Sequence, residues 1–289
     1  MPTGREGEPA VRCYVNGRLD DAGVLGVSPF DHGLLVGDGV FETLRTYAGV
    51  PFAWRRHDER LRRSAAGLGL RVPPSAELRD AAEAVLAANG LTDARLRITV
   101  TGGPSPLGSE RGDGPPTVIV AASPLGPPGP PASVVVVPWC RNERGATAGL
   151  KTISYAENVR ALAWARDRGG EEAIFANTHG DLCEATGSNV FVVHGGVLRT
   201  PPASSGCLEG VTRALLLELA ARLGIPTEAE VPLPLDALRR ADEAFLSSST
   251  REVQPIAAVD GTALATVPGP VTERLAEEFR AWVRTDPDP

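Results

Sequence analysis

Lysine occurs once in this chain, at Lys151, although lysine and arginine together number 29. Arginine replaces lysine wherever a surface needs only a positive charge on an alkyl stem. It cannot replace lysine as a nucleophile toward a carbonyl, because its guanidinium stays protonated and delocalised at any workable pH. A composition that uses arginine everywhere else therefore raises Schiff-base chemistry at residue 151. The plain alternative is a chance survivor of a compositional bias.

A second informative stretch runs from Glu184 to Arg213, EATGSNVFVVHGGVLRTPPASSGCLEGVTR. It holds a carboxylate, a polar turn, an apolar hairpin, and then Leu208-Glu209-Gly210-Val211-Thr212 opening a helix. A helix that opens on glycine and a hydroxyl residue exposes free N–H groups and the positive end of its dipole, which suits phosphate. Many helices begin this way, so that signal is weak alone. An amine, a carboxylate and a phosphate cup together are the three holds that pyridoxal phosphate needs.

The chain resembles the class IV (fold-type IV) pyridoxal phosphate enzymes, a family of branched-chain aminotransferases, D-amino-acid aminotransferases and aminodeoxychorismate lyases. The resemblance is carried by Glu184, Thr186, Asn189, Val190, Phe191, Leu198, Thr200, Leu208, Gly210, Val211 and Arg213. In the amino-terminal half it extends through Asp31-His32-Gly33, Gly37 to Glu42, His57 to Leu61 and Ser64-Ala65, so it covers nearly the whole chain. It implies an α+β fold of two domains: a small N-terminal α/β sandwich and a larger C-terminal, β-barrel-like domain with surrounding helices. It also implies pyridoxal 5'-phosphate as cofactor. Lys151 would anchor the aldehyde and move the substrate proton, and Glu184 would pair with the ring nitrogen and keep it protonated. Arg60 would reach the phosphate as a fork suited to a dianion, with Gly210, the backbone at Val211 and Thr212, Ser188 and Ser249 completing the cofactor contacts. The alternative for Arg60 is a solvated helix face, since His57 to Arg63 is charged throughout. Tyr155, four after the lysine, would bond the ring hydroxyl; branched-chain relatives carry their tyrosine five after it, where this chain has Ala156, so plain packing is the alternative. A homodimer follows from the same resemblance, each site lying between the two halves of one subunit and partly closed by the other.

Within the family, Val40-Phe41-Glu42 is followed by Thr43-Leu44-Arg45, where branched-chain enzymes have Gly-Ile-Arg. That pattern resembles the aminodeoxychorismate lyases. The expected reaction is therefore formation of 4-aminobenzoate and pyruvate from 4-amino-4-deoxychorismate, in folate biosynthesis, with Thr43 as a catalytic and substrate-binding hydroxyl. Against it, Arg97 stands where branched-chain enzymes keep a substrate-binding arginine. An amino-acid aminotransferase, of branched-chain or D-amino-acid type, is the alternative, although Thr101-Gly102-Gly103 lacks the arginine of the D-amino-acid enzymes. A non-catalytic cofactor-binding protein is a remote third reading.

The elements that must position these residues are legible in outline. Val11 to Leu19 reads as a hairpin turning at Asn16-Gly17, and Gly37 to Trp54 as two strands joined at Ala48-Gly49. In the first of these, alternation puts Phe41, Thr43, Arg45 and Tyr47 on one face. His57 to Leu68 and Ala76 to Ala88 read as amphipathic helices, and Arg95 to Thr101 and Thr117 to Ala122 as strands. Strands beside segregated helices fit an α+β layer. The run PLGPPGPP divides the chain into an N-terminal domain (1–123), a linker (124–131) and a C-terminal cofactor-binding domain (132–289). The second half reads as a strand at Ser133 to Val137, helices at Asn158 to Arg168, Val211 to Leu223 and Val271 to Arg284, a hairpin from Val190 to Arg199, and a strand at Glu243 to Ser248.

Composition sets the outer bounds. A length of 289 residues with 42% hydrophobic and 22% charged residues reads as a folded chain of two modest domains. A formal charge of -7 disfavours nucleic acid and anionic membranes, which leaves a small-molecule amino substrate as the expected partner. The four cysteines, Cys13, Cys140, Cys183 and Cys207, form no Cys-x-x-Cys pair, and the histidines are scattered, so no metal is expected. No apolar run reaches membrane-spanning length and the start lacks the layout of a secretory signal, which reads as cytoplasmic.

Overall fold

Two hairpins turn where the sequence places left-handed backbone. Asn16 (φ 48°) and Gly17 (φ 88°) close the first, between β1 (Arg12–Val15) and β2 (Arg18–Asp21). Positive φ at both central residues is the twist that a two-residue hairpin requires. Ala48 and Gly49, at φ 50° and 84°, close the second, between β3 (Gly39–Tyr47) and β4 (Val50–Pro51). This computed structural model describes residues 11–289, and the polar stretch before Val11 lies outside the described residues.

The chain divides into two compact units, 1–126 with 150–154 and 288–289, and 127–149 with 155–287. The first unit continues with α1 (His32–Val36), α2 (Trp54–Leu68), α3 (Ser75–Ala88), β5 (Ala94–Thr101) and β6 (Thr117–Pro124). Its six strands form one sheet in the order β2-β1-β6-β5-β3-β4, antiparallel throughout. Val40 and Leu44 of β3, Leu96, Ile98 and Val100 of β5 and Val118 and Val120 of β6 join Leu61 and Ala65 of α2 and Leu78, Ala82 and Val85 of α3 in one buried core. The opposite face of β3 and β5 carries Phe41, Thr43, Arg45 and Arg97.

The second unit is built on a larger sheet. Its elements are β7 (Ala132–Val136), α4 (Ala156–Arg166), β8 (Glu172–Ala176), β9 (Leu182–Ala185), β10 (Asn189–His194), β11 (Val197–Arg199), α5 (Val211–Arg222), β12 (Thr227–Glu228), α6 (Asp236–Arg239), β13 (Glu243–Ser248), β14 (Glu252–Val259), β15 (Thr262–Ala263) and α7 (Pro270–Thr285). Eight strands run in the order β12-β11-β10-β13-β14-β7-β8-β9, and β15 pairs with β14. Strands β7 and β8 are parallel neighbours, so the chain needs the crossover that α4 supplies. Residues 150–154 group with the first unit although sequence order places them in the 132–289 domain: their backbone hydrogen bonds are made to β3. Of the stretch 124–131, Pro124 ends β6 and the rest has neither helix nor strand.

Candidate active site

Lys151 is held by backbone and side chain of the first unit. Its C=O accepts the Phe41 N–H at 3.1 Å, and the Ile153 N–H donates to Gly39 O at 2.9 Å, so Thr152 bridges Val40 as a short antiparallel rung on the start of β3. Its own N–H donates to the Ser64 hydroxyl at 3.1 Å. The amine lies 4.3 Å from the centroid of the Phe41 ring, and the Arg97 guanidinium lies 3.7 Å from the same centroid. Two cations on one aromatic ring form an electropositive patch steadied by cation–π attraction. Thr43 is the register partner of Arg97, whose Nε donates to Thr99 Oγ1 at 3.1 Å. The alternation expected for β3 thus gathers Lys151, Phe41, Thr43 and Arg97 on one face.

Arg60 lies inside the unit, which excludes the solvated helix face. It is 5% exposed, whereas the side chains of Arg55 and Glu59 on the outer side of α2 are more than half exposed. Its Nε and Nη2 donate to the two carboxylate oxygens of Glu42 at 2.8 and 2.7 Å, and Glu42 Oε2 is also 2.6 Å from His57 Nδ1. Burial favours the neutral acid at Glu42, but Arg60 and His57 overrule it and hold the carboxyl far below its ordinary range. Burial lowers His57; Glu42 raises it, Arg60 and Lys151 lower it further, and the net shift is downward. The result is a neutral histidine, a carboxylate and a guanidinium closed on one another.

In the second unit Glu184 sits on β9, where Oε2 accepts the Leu208 N–H at 2.9 Å and Oε1 lies 3.5 Å from Arg141 Nε. Arg141 is stacked 4.2 Å from the Phe175 centroid and donates to Asn158 Oδ1 at 3.2 Å. Asn189 Nδ2 donates to Leu208 O at 2.7 Å, so β9 and β10 together fix the segment that leads into α5. Gly210 is the N-cap of α5 and no side chain caps the helix, whose first residues, Val211 and Thr212, are buried. A β-carbon at Gly210 would collide with Asn189 Oδ1, so glycine alone permits this close approach. Ser188 is buried with no hydrogen-bond partner for its hydroxyl. Ser249 lies in the turn between β13 and β14, and the Tyr155 carbonyl accepts the Val159 N–H at 2.9 Å at the start of α4. Burial raises the Cys183 thiol and pushes Cys207 up to about 11, so neither is a thiolate at neutral pH.

The family described as Amino-transferase class IV matches residues 39–259 of this chain. The chain belongs to that family. A Methanocaldococcus jannaschii protein provisionally named as a branched-chain-amino-acid aminotransferase is 37% identical over 277 residues, covering 93% of this chain and 96% of that protein. The aminodeoxychorismate lyase of Bacillus subtilis is 33% identical over 278 residues, covering 94% of each. The T.th. branched-chain aminotransferase complexed with N-(5'-phosphopyridoxyl)-L-glutamate superposes with a TM-score of 0.88 at 28% identity, covering 96% of this chain and 95% of the other. The expected two-domain α+β fold is thereby borne out, and class IV enzymes use pyridoxal phosphate.

This chain's residues fit that cofactor. The uncapped start of α5 and the unpartnered, buried Ser188 hydroxyl are what a phosphate group calls for. Among the described residues no helix is long and apolar enough to cross a membrane, and no group of three or more His, Cys, Asp or Glu could hold a metal ion. Glu42, His57, Ser64 and Arg141 have partner roles in the fold that the sequence alone does not assign. Glu42 left a signal: alternation sets it with Val40 and Leu44 on the inward face, where a carboxylate demands a counter-charge, and His57 and Arg60 are one helical turn apart.

Proposed function

We propose that this enzyme is an amino-acid aminotransferase, moving the amino group of a small amino acid to a 2-oxo acid. Bound pyridoxal phosphate supplies an electron sink for the substrate carbon that loses its proton. Lys151 anchors the aldehyde and carries that proton. Glu184 would pair with the ring nitrogen, and Tyr155 would serve the ring hydroxyl. Arg60, Ser188, Gly210, Val211, Thr212 and Ser249 hold the phosphate. Arg97 binds a substrate carboxylate, and the observation that carries this reading is that its guanidinium and the Lys151 amine share the Phe41 ring. A fixed cation beside the reactive amine is a hold for an amino acid or a 2-oxo acid. The 37% identity to the Methanocaldococcus jannaschii protein supports a transferase over the lyase expected from Thr43.

The lyase remains a second reading on one observation: Thr43 stands opposite Arg97 in the strand register, with a hydroxyl where the branched-chain pattern has glycine. Two assays separate the readings. Purified enzyme is given a panel of amino donors with 2-oxoglutarate, and separately aminodeoxychorismate. Glutamate formation supports the transferase; 4-aminobenzoate formation without glutamate replaces it with the lyase. A homodimer belongs to the same reading by family resemblance, and sedimentation of the holoenzyme tests it.

A further inference from the structure

We propose that Ser64 positions Lys151, by holding its backbone N–H; the inference rests on the reading of Lys151 as the reactive amine. The pairing of residues 151–153 with β3 stops short at the lysine. The Phe41 N–H reaches Lys151 O and the Ile153 N–H reaches Gly39 O, bracketing the Val40–Thr152 bridge. A ladder that continued would give the Lys151 N–H to Phe41 O. That N–H donates instead to Ser64 Oγ on α2, at 3.1 Å. The peptide on the carbonyl side of Lys151 is thus fixed by a strand, and the peptide on its amide side by a helix. Between them they set the direction in which the side chain leaves the backbone, toward the Phe41 ring.

Three observations make Ser64 more than a convenient acceptor. It is 2% exposed, so water does not readily replace its hydroxyl. It lies inside α2, where serine is a poorer helix former than alanine, so helix stability does not account for it. One turn on, a β-carbon at Gly67 would lie 2.6 and 2.8 Å from the two methyl carbons of Leu150. Positions 64 and 67 of α2 therefore accommodate residues 151 and 150 in turn, one by a hydrogen bond and the other by leaving room.

The test is Ser64→Ala in the full-length holoenzyme, a change that favours helix and leaves α2 intact. The Lys151 amide is expected to exchange with deuterium about tenfold faster, while amides within α2 keep their protection. The turnover number is expected to fall by about 10- to 100-fold, the scale of a small misplacement of a reacting group. KM and cofactor retention through dialysis should hardly change, a split that general destabilisation would not produce. Unchanged exchange at Lys151 overturns the proposal, and so does faster exchange with wild-type turnover. Failure of the underlying reading is seen separately: borohydride reduction of the wild-type holoenzyme would then label a site other than Lys151.

Discussion

Arg60 and Glu184 are both charged groups drawn into the protein, and the two units hold them by different means. Arg60 is closed on Glu42 by two hydrogen bonds, and Glu42 in turn is bonded to His57, all three being buried. Glu184 keeps 15% of its side chain exposed; a backbone N–H from Leu208 takes one oxygen, and Arg141 stands 3.5 Å from the other. A buried charge answered by a full opposite charge repays its desolvation only while both partners remain. A partly exposed carboxylate that accepts a backbone N–H loses less stability when its charge goes, because a neutral amide accepts the same bond. The first arrangement ties the charge of Glu42 to folding, together with the Arg60 proposed for the phosphate; the second leaves the charge of Glu184 to the chemistry proposed for it. Lys151 shares the first unit with Arg60, and its backbone is fixed by β3 and by Ser64.

The largest effect should come from that lysine. Lys151→Ala is expected to lower turnover by about 10⁴-fold or more, as removal of a covalent participant does. Borohydride labelling by the cofactor should vanish with it, because no other lysine exists to take over. Persistent labelling of the variant at an internal site would break the comparison at its root.

Next in size is the closed cluster. Glu42→Gln leaves Arg60 buried without its counter-charge, and stability should fall by about 3 to 5 kcal/mol, read as a lower urea midpoint of the cofactor-free chain. Glu184→Gln should do the reverse. Its stability should change by less than about 1 kcal/mol, while proton abstraction slows by about 10²-fold, the size of one preorganised electrostatic contribution. If Glu184→Gln unfolds as readily as Glu42→Gln, the division between a folding charge and a chemical charge is wrong.

Much of this was legible before the fold. Lys151 stands out because composition removes every competitor, and Gly210 because a helix start leaves a local signature of glycine and hydroxyl. Both signals are confined to a few neighbouring residues. The partners of those residues are not: Ser64 meets Lys151 across 87 positions, and Glu42 meets Arg60 only once α2 folds back on β3. Strand β14 escapes because Pro255 interrupts its pattern, and proline in a central strand argues against the strand. It is tolerated because tertiary packing overrides local preference. Residues 150–154 escape for a simpler reason. Sequence order assigns them to the domain they precede, whereas their hydrogen bonds assign them to the strand they return to.

The smallest expected effect concerns pH, and it sharpens the contrast within the first unit. Burial, with the nearby charges of Arg60 and Lys151, lowers His57 despite Glu42, so the fold resists protonating it while the unfolded chain accepts a proton near pH ~6.5. Its contribution is complete above that value and declines as pH falls below it. His32 is the opposite case. Its Nδ1 lies 3.0 Å from Asp38 Oδ2 and its Nε2 2.9 Å from Gly108 O, two acceptors that only the doubly protonated ring satisfies together. The bond to Asp38 and then the Gly108 carbonyl raise it, overcoming burial and the charge of Arg111, which itself pairs with Asp38. The contribution of His32 is complete below pH ~6.5 and is lost as pH rises through its higher folded value. His57→Gln should therefore flatten the acid limb of a plot of thermal midpoint against pH, and His32→Gln the alkaline limb. Curves for both variants that run parallel to wild type across the whole range would show that neither histidine is linked to folding, and the pH response would then have to be sought outside the two clusters.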